Sequence, residues 1–254
     1  MEPFQRFTTF DGLQLAYTTG GTGPDVLLLH GFASSATGNW IQPGIADAIV
    51  ASGRHVIAYD ARGHGQSDKP HDQAAYENNA MVRDAQALLD ALGVARVDIV
   101  GYSMGAIVSS RLVPVEPRAR SLVLGGIGGN LAAGRRSLPR DRIADALSSA
   151  GGMNAINPAA RAFRRFAERA GNDLQALSAV QRAAAHGSMG KFGEINVPTL
   201  VVAGADDRLA GDPAALAARI PGAVAQVVPG NHLSAVVKPE LRNAIVSFLQ
   251  RIPA

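Results

Sequence analysis

The sequence predicts an α/β protein built on a mainly parallel sheet with helices on both faces. Three observations carry that expectation. Compact apolar runs of strand length recur along most of the chain, at 26–29, 55–59, 97–100, 121–124, 199–203 and 223–228. Helix-like stretches separate many of them, and strands buried on both faces read as continuous rather than alternating apolar runs. One run also leads directly into Gly101-Tyr102-Ser103-Met104-Gly105 and then into a helical pattern, a strand–turn–helix unit with a serine at its apex.

Taken in order, the chain opens on two β-prone segments, 4–10 and 13–18, separated by Asp11-Gly12. Asp-Gly between such runs predicts a hairpin, hence an antiparallel edge. Gly20-Gly21-Thr22-Gly23-Pro24 predicts the turn into 26–29. Helices are expected at 79–92, 106–113, 213–220 and 239–251, where apolar residues return at helical spacing. From 128 to 193 no strand is legible. Helical patterns at 140–150, 158–170 and 173–185 are divided by Gly151-Gly152, Asn157-Pro158 and Gly171-Asn172. A helical insertion between two parallel strands is expected to cover the carboxyl edge of the sheet, where ligands bind in such folds. The predicted organisation is a core of 1–127 and 194–254 with a helical cap, or lid, at 128–193.

Composition limits the function classes. The 254 residues are 47% hydrophobic and 18% charged, and they contain no cysteine. Disulfides, thiolate nucleophiles and zinc–thiolate sites are excluded. The N-terminal ten residues carry Glu2, Pro3 and Arg6 and lack the apolar core of a signal peptide, so a cytoplasmic location is expected. No apolar run approaches the ~20 residues of a membrane helix, and no membrane partner is expected. The formal charge is +3 and the pI about 9.6. Eight arginines lie between Arg135 and Arg169 against Asp141, Asp145 and Glu168, a local excess of five that leaves the rest of the chain slightly acidic. The basic character therefore belongs to the cap, and no nucleic-acid partner is needed to explain it. Either these arginines form a solvated outer face, or they steer anionic substrates towards the site.

A nucleophilic serine needs a base, and the base needs an orienting acid. In the order Ser, acid, His, the histidines after Ser103 are His186 and His232. His186 ends a cap helix, where a partner for the helix dipole is expected. His232 stands in Pro229-Gly230-Asn231-His232, between the last strand and the last helix, and is the predicted base. A near miss, Ser188-Met189-Gly190, has His186 where the first glycine should be. The acid is expected after the strand 199–203, where Asp206 and Asp207 compete; the G-x-x-D spacing from Gly204 favours Asp207. Acyl transfer also needs donors for the developing oxyanion. Met104 N–H, next to the nucleophile, and Phe32 N–H, in His30-Gly31-Phe32 after the first parallel strand, are the expected pair. His30 is expected to brace that loop. Tyr102 is the candidate substrate contact.

These residues together resemble the α/β-hydrolase superfamily, in particular its lid-bearing serine esterase-like group. The correspondence runs from Leu29-His30-Gly31-Phe32 through residues 60–67 and 101–105 to 204–207 and His232. It implies an eight-stranded, mostly parallel sheet and hydrolysis without metal or cofactor through an acyl-enzyme. It also implies that residues 60–67 buttress the site. Haloalkane dehalogenases and typical epoxide hydrolases of this fold carry Asp at the nucleophile position, and dienelactone hydrolases Cys. Ser103 leaves esters, lactones, thioesters, amides, C–C bonds beside a ketone and perhydrolysis, with a small-molecule ester or lactone as the leading expectation. C–C bond hydrolysis, perhydrolysis, acyl transfer or a receptor-like binding role on the same residues stand as alternatives. Tyr102 and Ala106 depart from the Gly-Asn-Ser-Met-Gly-Gly of many C–C hydrolases.

Overall fold

The structure is a computed structural model that describes residues 1–134, 140–149, 158–185 and 191–253. Eight strands appear where the sequence places them: β1 (Gln5–Thr8), β2 (Gln14–Gly20), β3 (Asp25–Leu29), β4 (His55–Tyr59), β5 (Val97–Tyr102), β6 (Ala119–Gly125), β7 (Thr199–Gly204) and β8 (Val224–Val228). The helices are α1 (Ile45–Ala51), α2 (Ala80–Ala91), α3 (Met104–Leu112), α4 (Gly129–Ala132), α5 (Arg140–Ser148), α6 (Pro158–Arg169), α7 (Leu174–Ala185), α8 (Pro213–Ala217) and α9 (Pro239–Gln250). The strands form one sheet in the order β1-β2-β4-β3-β5-β6-β7-β8. β1 and β2 are an antiparallel hairpin, and β2 pairs antiparallel with β4. From β4 to β8 every pairing is parallel.

Alternation along the strands divides the core between two faces, as the pleat requires. Leu27, Leu29, Ile57, Ile99, Leu122, Leu124 and Val201 pack with Ala85, Leu88 and Leu89 of α2 and Ala106 and Leu112 of α3. Val26, Leu28, Val56, Ala58, Val100, Val123 and Val202 pack with Ile45 and Ile49 of α1 and Leu241, Ile245 and Phe248 of α9. Helix α1 is absent from the sequence reading. It is short, its N-cap Gly44 makes no side-chain cap bond, and a π-helical turn at Thr37–Ile41 precedes it. The hydrophobic second face needed it all the same.

The register sets the site. Leu29 of β3 stands level with Tyr59 of β4 and Gly101 of β5, Tyr102 with Gly125, and Gly204 with Val228. The loops that follow these strands therefore open at one edge. Between β6 and β7 the described regular elements are all helices. Ile143, Leu147, Ala167 and Leu177 from α5, α6 and α7 cluster with Phe32 and Ala33 of the loop after β3. Asn172 Nδ2 donates to Ala33 O at 2.8 Å, and His71 pairs with Asp173 at 2.9 Å, tying these helices to the strand-edge loops. Residues 135–139, 150–157 and 186–190 lie outside the described residues, and with them His186, Arg135, Arg136 and the Ser188-Met189-Gly190 near miss. Among the described residues no helix is long and apolar enough to cross a membrane.

Candidate active site

Ser103 sits at the turn between β5 and α3 with φ +52° and ψ −109°, a conformation that non-glycine residues rarely adopt. Ser103 N–H donates to Gly125 O at 2.8 Å, and Ser103 O accepts from Ile107 N–H at 3.0 Å, so the turn is pinned on both sides. The flanking glycines are required by space. A Cβ on Gly101 would lie 2.5 Å from Gly105 O, and one on Gly105 would lie 2.0 Å from Leu29 O. The G-x-S-x-G pattern is thus the imprint of a helix start pressed against the end of β3.

His232 comes from the loop after β8. Its Nε2 lies 2.9 Å from Ser103 Oγ and its Nδ1 2.8 Å from Asp207 Oδ2. Asp207 is buried and follows β7. Its second oxygen, Oδ1, accepts from Leu209 N–H and Ala210 N–H, each at 3.0 Å. With both Asp207 oxygens accepting, His232 Nδ1 is the donor and Nε2 is left to accept the Ser103 hydroxyl proton. Asp206 is exposed, and its N–H bonds Gly230 O at 3.0 Å, joining the β7 and β8 loops. Of the two competing aspartates, the geometry brings only Asp207 to His232.

A cavity of about 540 Å³ opens over Ser103 and His232. Phe32 and Met104 line it beside them, so the expected oxyanion donors lie on residues at the serine. Its other walls are mixed: Ile107 and Val108 from α3, Ile127 after β6, and Ile143, Phe163 and Val180 from α5, α6 and α7 supply apolar surface, while Asn78, Asn79 and Gln181 are polar.

Tyr102 requires a correction. It does not line the cavity; its ring is 4% exposed in the core, and its hydroxyl donates to His232 O at 2.7 Å. Burial, with the Asp207 charge adding to it, pushes the phenol's pKa up and keeps it a donor. Being the strand residue before the turn, Tyr102 points to the opposite side of the pleat from Gly101, under the His232 loop rather than over the serine.

Around these residues stands a buried polar frame. His30 Nε2 accepts from Ala61 N–H at 3.0 Å and its Nδ1 faces Gly31 O at 2.8 Å, so the ring braces two loops as a neutral imidazole. Burial lowers its pKa, against the pull of the Asp60 charge. Asp60 accepts from Ala36 N–H at 2.8 Å and Gln66 N–H at 2.7 Å. Arg62 and Asp84, both buried, pair at 2.6 Å, and Asp11 joins them. Residues 60–67 thus hold the neighbouring loops in place. Asn39, in the π-helical turn, accepts the Gly31 N–H at 2.9 Å; nothing in its local sequence marks it.

The charge pattern also resolves. Arg142, Arg165 and Arg169 are exposed, while Arg164 bonds Glu168, Ala146 O and Ser149 O. None of these lines the cavity. Among the described residues the charged cavity-lining side chains are Arg111 of α3 and Glu77, apart from His232. Arg111 went unread in the sequence, although Met104, Ile107, Val108 and Arg111 form one i, i+3, i+4, i+7 face of α3.

The sheet order, the serine turn at the carboxyl edge of β5 and the helices inserted after β6 together define an α/β-hydrolase fold. The family model for that fold matches residues 24–133. The chain thus has the α/β-hydrolase fold, and the first half of it resembles that family in sequence. It is 27% identical to a hydrolase from Pseudomonas aeruginosa whose crystal structure covers 97% of this chain and 98% of its own, with a TM-score of 0.76. It is 36% identical over 129 residues to an uncharacterized protein of Mycobacterium bovis, covering 50% of this chain and 36% of that one. Over 110 residues it is 36% identical to epoxide hydrolase A of Mycobacterium tuberculosis, covering 42% of this chain and 33% of that one. The match thus spans about a third of the length of these curated relatives.

Proposed function

We infer that the chain is a serine hydrolase that cleaves a small or medium carboxylic ester or lactone through an acyl-enzyme. The observation that carries this reading is the continuous chain Ser103 Oγ, His232 Nε2, His232 Nδ1, Asp207 Oδ2, with links of 2.9 and 2.8 Å, at the floor of a cavity of about 540 Å³. Ser103 Oγ attacks the carbonyl carbon as its proton passes to His232 Nε2. The carbonyl π pair moves to oxygen, where Phe32 N–H and Met104 N–H receive the charge. Collapse of this intermediate breaks the bond to the leaving alkoxide, which takes the proton from Nε2. Water then repeats the sequence on the acyl-serine and releases the acid. Asp207 orients the imidazole and offsets its charge while it carries the extra proton.

On this reading residues 128–193 form a cap over the core of 1–127 and 194–254, and its modest apolar wall suits a short acyl group. The epoxide hydrolase likeness does not transfer its chemistry, because the resemblance places an aspartate nucleophile where this chain has Ser103. The test is turnover of p-nitrophenyl acetate and butyrate by the wild type and by Ser103→Ala. The wild type is expected to turn both over, and the variant to fold normally and lose turnover by at least a thousandfold. Retained activity in Ser103→Ala, or none in the wild type across an ester and lactone panel, removes the reading.

A further inference from the structure

We propose that Arg111 anchors a carboxylate at the far end of the acyl group, so that the preferred substrates are half-esters of dicarboxylic acids; this rests on the esterase reading. The argument begins with helix α3. Its face of Met104, Ile107, Val108 and Arg111 lines the cavity that holds Ser103. At 1.5 Å per residue, Arg111 Cα lies about 12 Å along the helix from Ser103. Helical side chains lean towards the N-terminus, so the Arg111 side chain leans back along the side of α3 that carries Val108 and Ile107. Along the α3 face of the cavity, Ser103 stands at one end, Ile107 and Val108 lie between, and the cationic Arg111 stands at the other.

The remaining charges leave that role to Arg111. Glu77, half-buried in the same lining, carries the opposite charge and accepts from Gln73 Nε2 at 2.7 Å. The exposed arginines of α5 and α6 do not reach the cavity, as described above. Tyr76, also in the lining, spends its hydroxyl on Pro70 O at 2.6 Å. A guanidinium presents its donors in a planar fork that matches a carboxylate.

The experiment measures kcat/KM for monomethyl esters of linear C4 to C8 diacids against the matching dimethyl esters. It uses the wild type, Arg111→Met and Arg111→Lys, with p-nitrophenyl acetate in parallel. The wild type is expected to favour the half-ester at one or two chain lengths. Arg111→Met should lower the half-ester to diester ratio by roughly ten- to a hundredfold, mainly through KM, as loss of a charge-assisted hydrogen-bonded pair implies. Arg111→Lys should restore part of it. Turnover of the esters with a ratio that Arg111→Met leaves unchanged overturns the proposal and leaves the esterase reading standing. A purely structural Arg111 would lower both substrates and the melting temperature together, with the ratio constant, and that too overturns it. If no ester is turned over, including p-nitrophenyl acetate, the esterase reading fails. The anchor is then decided by binding: a free C6 or C8 diacid raises the melting temperature of the wild type and not of Arg111→Met, or it is wrong.

Discussion

Replacing Asp207 by asparagine changes one atom in the chain that ends at Ser103, and the structure fixes how the new amide must sit. Asp207 Oδ1 accepts two backbone N–H groups, from Leu209 and Ala210, at 3.0 Å each. An asparagine placed with its NH₂ there would set donor against donor twice, so its oxygen stays on that side and its NH₂ turns to His232. Nδ1 must then accept, the ring proton moves to Nε2, and Nε2 can no longer take the Ser103 proton across the 2.9 Å link. A wrong tautomer of this kind lowers kcat by about 10⁴-fold in the Ser-His-Asp case, equivalent to about 5 kcal/mol of barrier. We therefore expect Asp207→Asn to lose three to four orders of magnitude in kcat on p-nitrophenyl acetate at pH 7, with KM changed by only a few fold. Asp206→Asn, exposed and bonded through its backbone, should stay within about threefold of wild type. Urea unfolding of both variants separates misfolding from lost chemistry. Asp207→Asn within tenfold of wild type, or a larger loss in Asp206→Asn, refutes the reasoning.

Three further outcomes follow from the same geometry. Tyr102→Phe removes the 2.7 Å bond to His232 O; it should destabilise the fold by about 1 kcal/mol and lower kcat several fold with KM little changed, measured by urea unfolding and steady-state kinetics. Gly105→Ala puts a Cβ 2.0 Å from Leu29 O; it should shift the serine turn and cost several kcal/mol, seen as a large drop in urea midpoint or loss of soluble protein. Burial, with His30 adding to it, pushes fully buried His64 down to about 3 from an ordinary 6.5. Below pH 6.5 the unfolded chain takes up a proton there that the folded chain refuses, so stability falls as pH drops from 6.5 towards 3, by up to tenfold in the unfolding constant per pH unit from this group. Urea midpoints at pH 7, 5.5 and 4.5 measure the trend, and His64→Phe should flatten part of it.

Much of this was legible because local rules and global packing agree. Ser103, His232 and Asp207 each follow a strand end, and a parallel register brings all such ends to one edge. The apolar runs marked the six strands from β3 to β8, most of them buried on both faces with little room for polar residues, and Asp11-Gly12 marked the β1–β2 hairpin. Helix α1 escaped because seven residues with no capping side chain carry little periodic signal. Tyr102 misled because its neighbour is the predicted nucleophile, whereas the pleat sends adjacent side chains to opposite faces. Arg111 and Asn39 were hidden for a different reason. Their significance lies in which wall or loop they meet, and that is a property of tertiary packing rather than of spacing. The arginine-rich helices show the converse: their charge is plain in the sequence, yet Arg142, Arg165 and Arg169 turn outward and Arg164 bonds Glu168 and the backbone of Ala146 and Ser149.

The central claim is that Ser103 forms the covalent intermediate, and peptide mapping after reaction with a fluorophosphonate tests it most directly. The account predicts one adduct per chain, on the peptide containing Ser103, formed at a rate that falls by orders of magnitude in Asp207→Asn and absent in Ser103→Ala. Adduct on another residue, or none in a wild type that still hydrolyses p-nitrophenyl acetate, would contradict it.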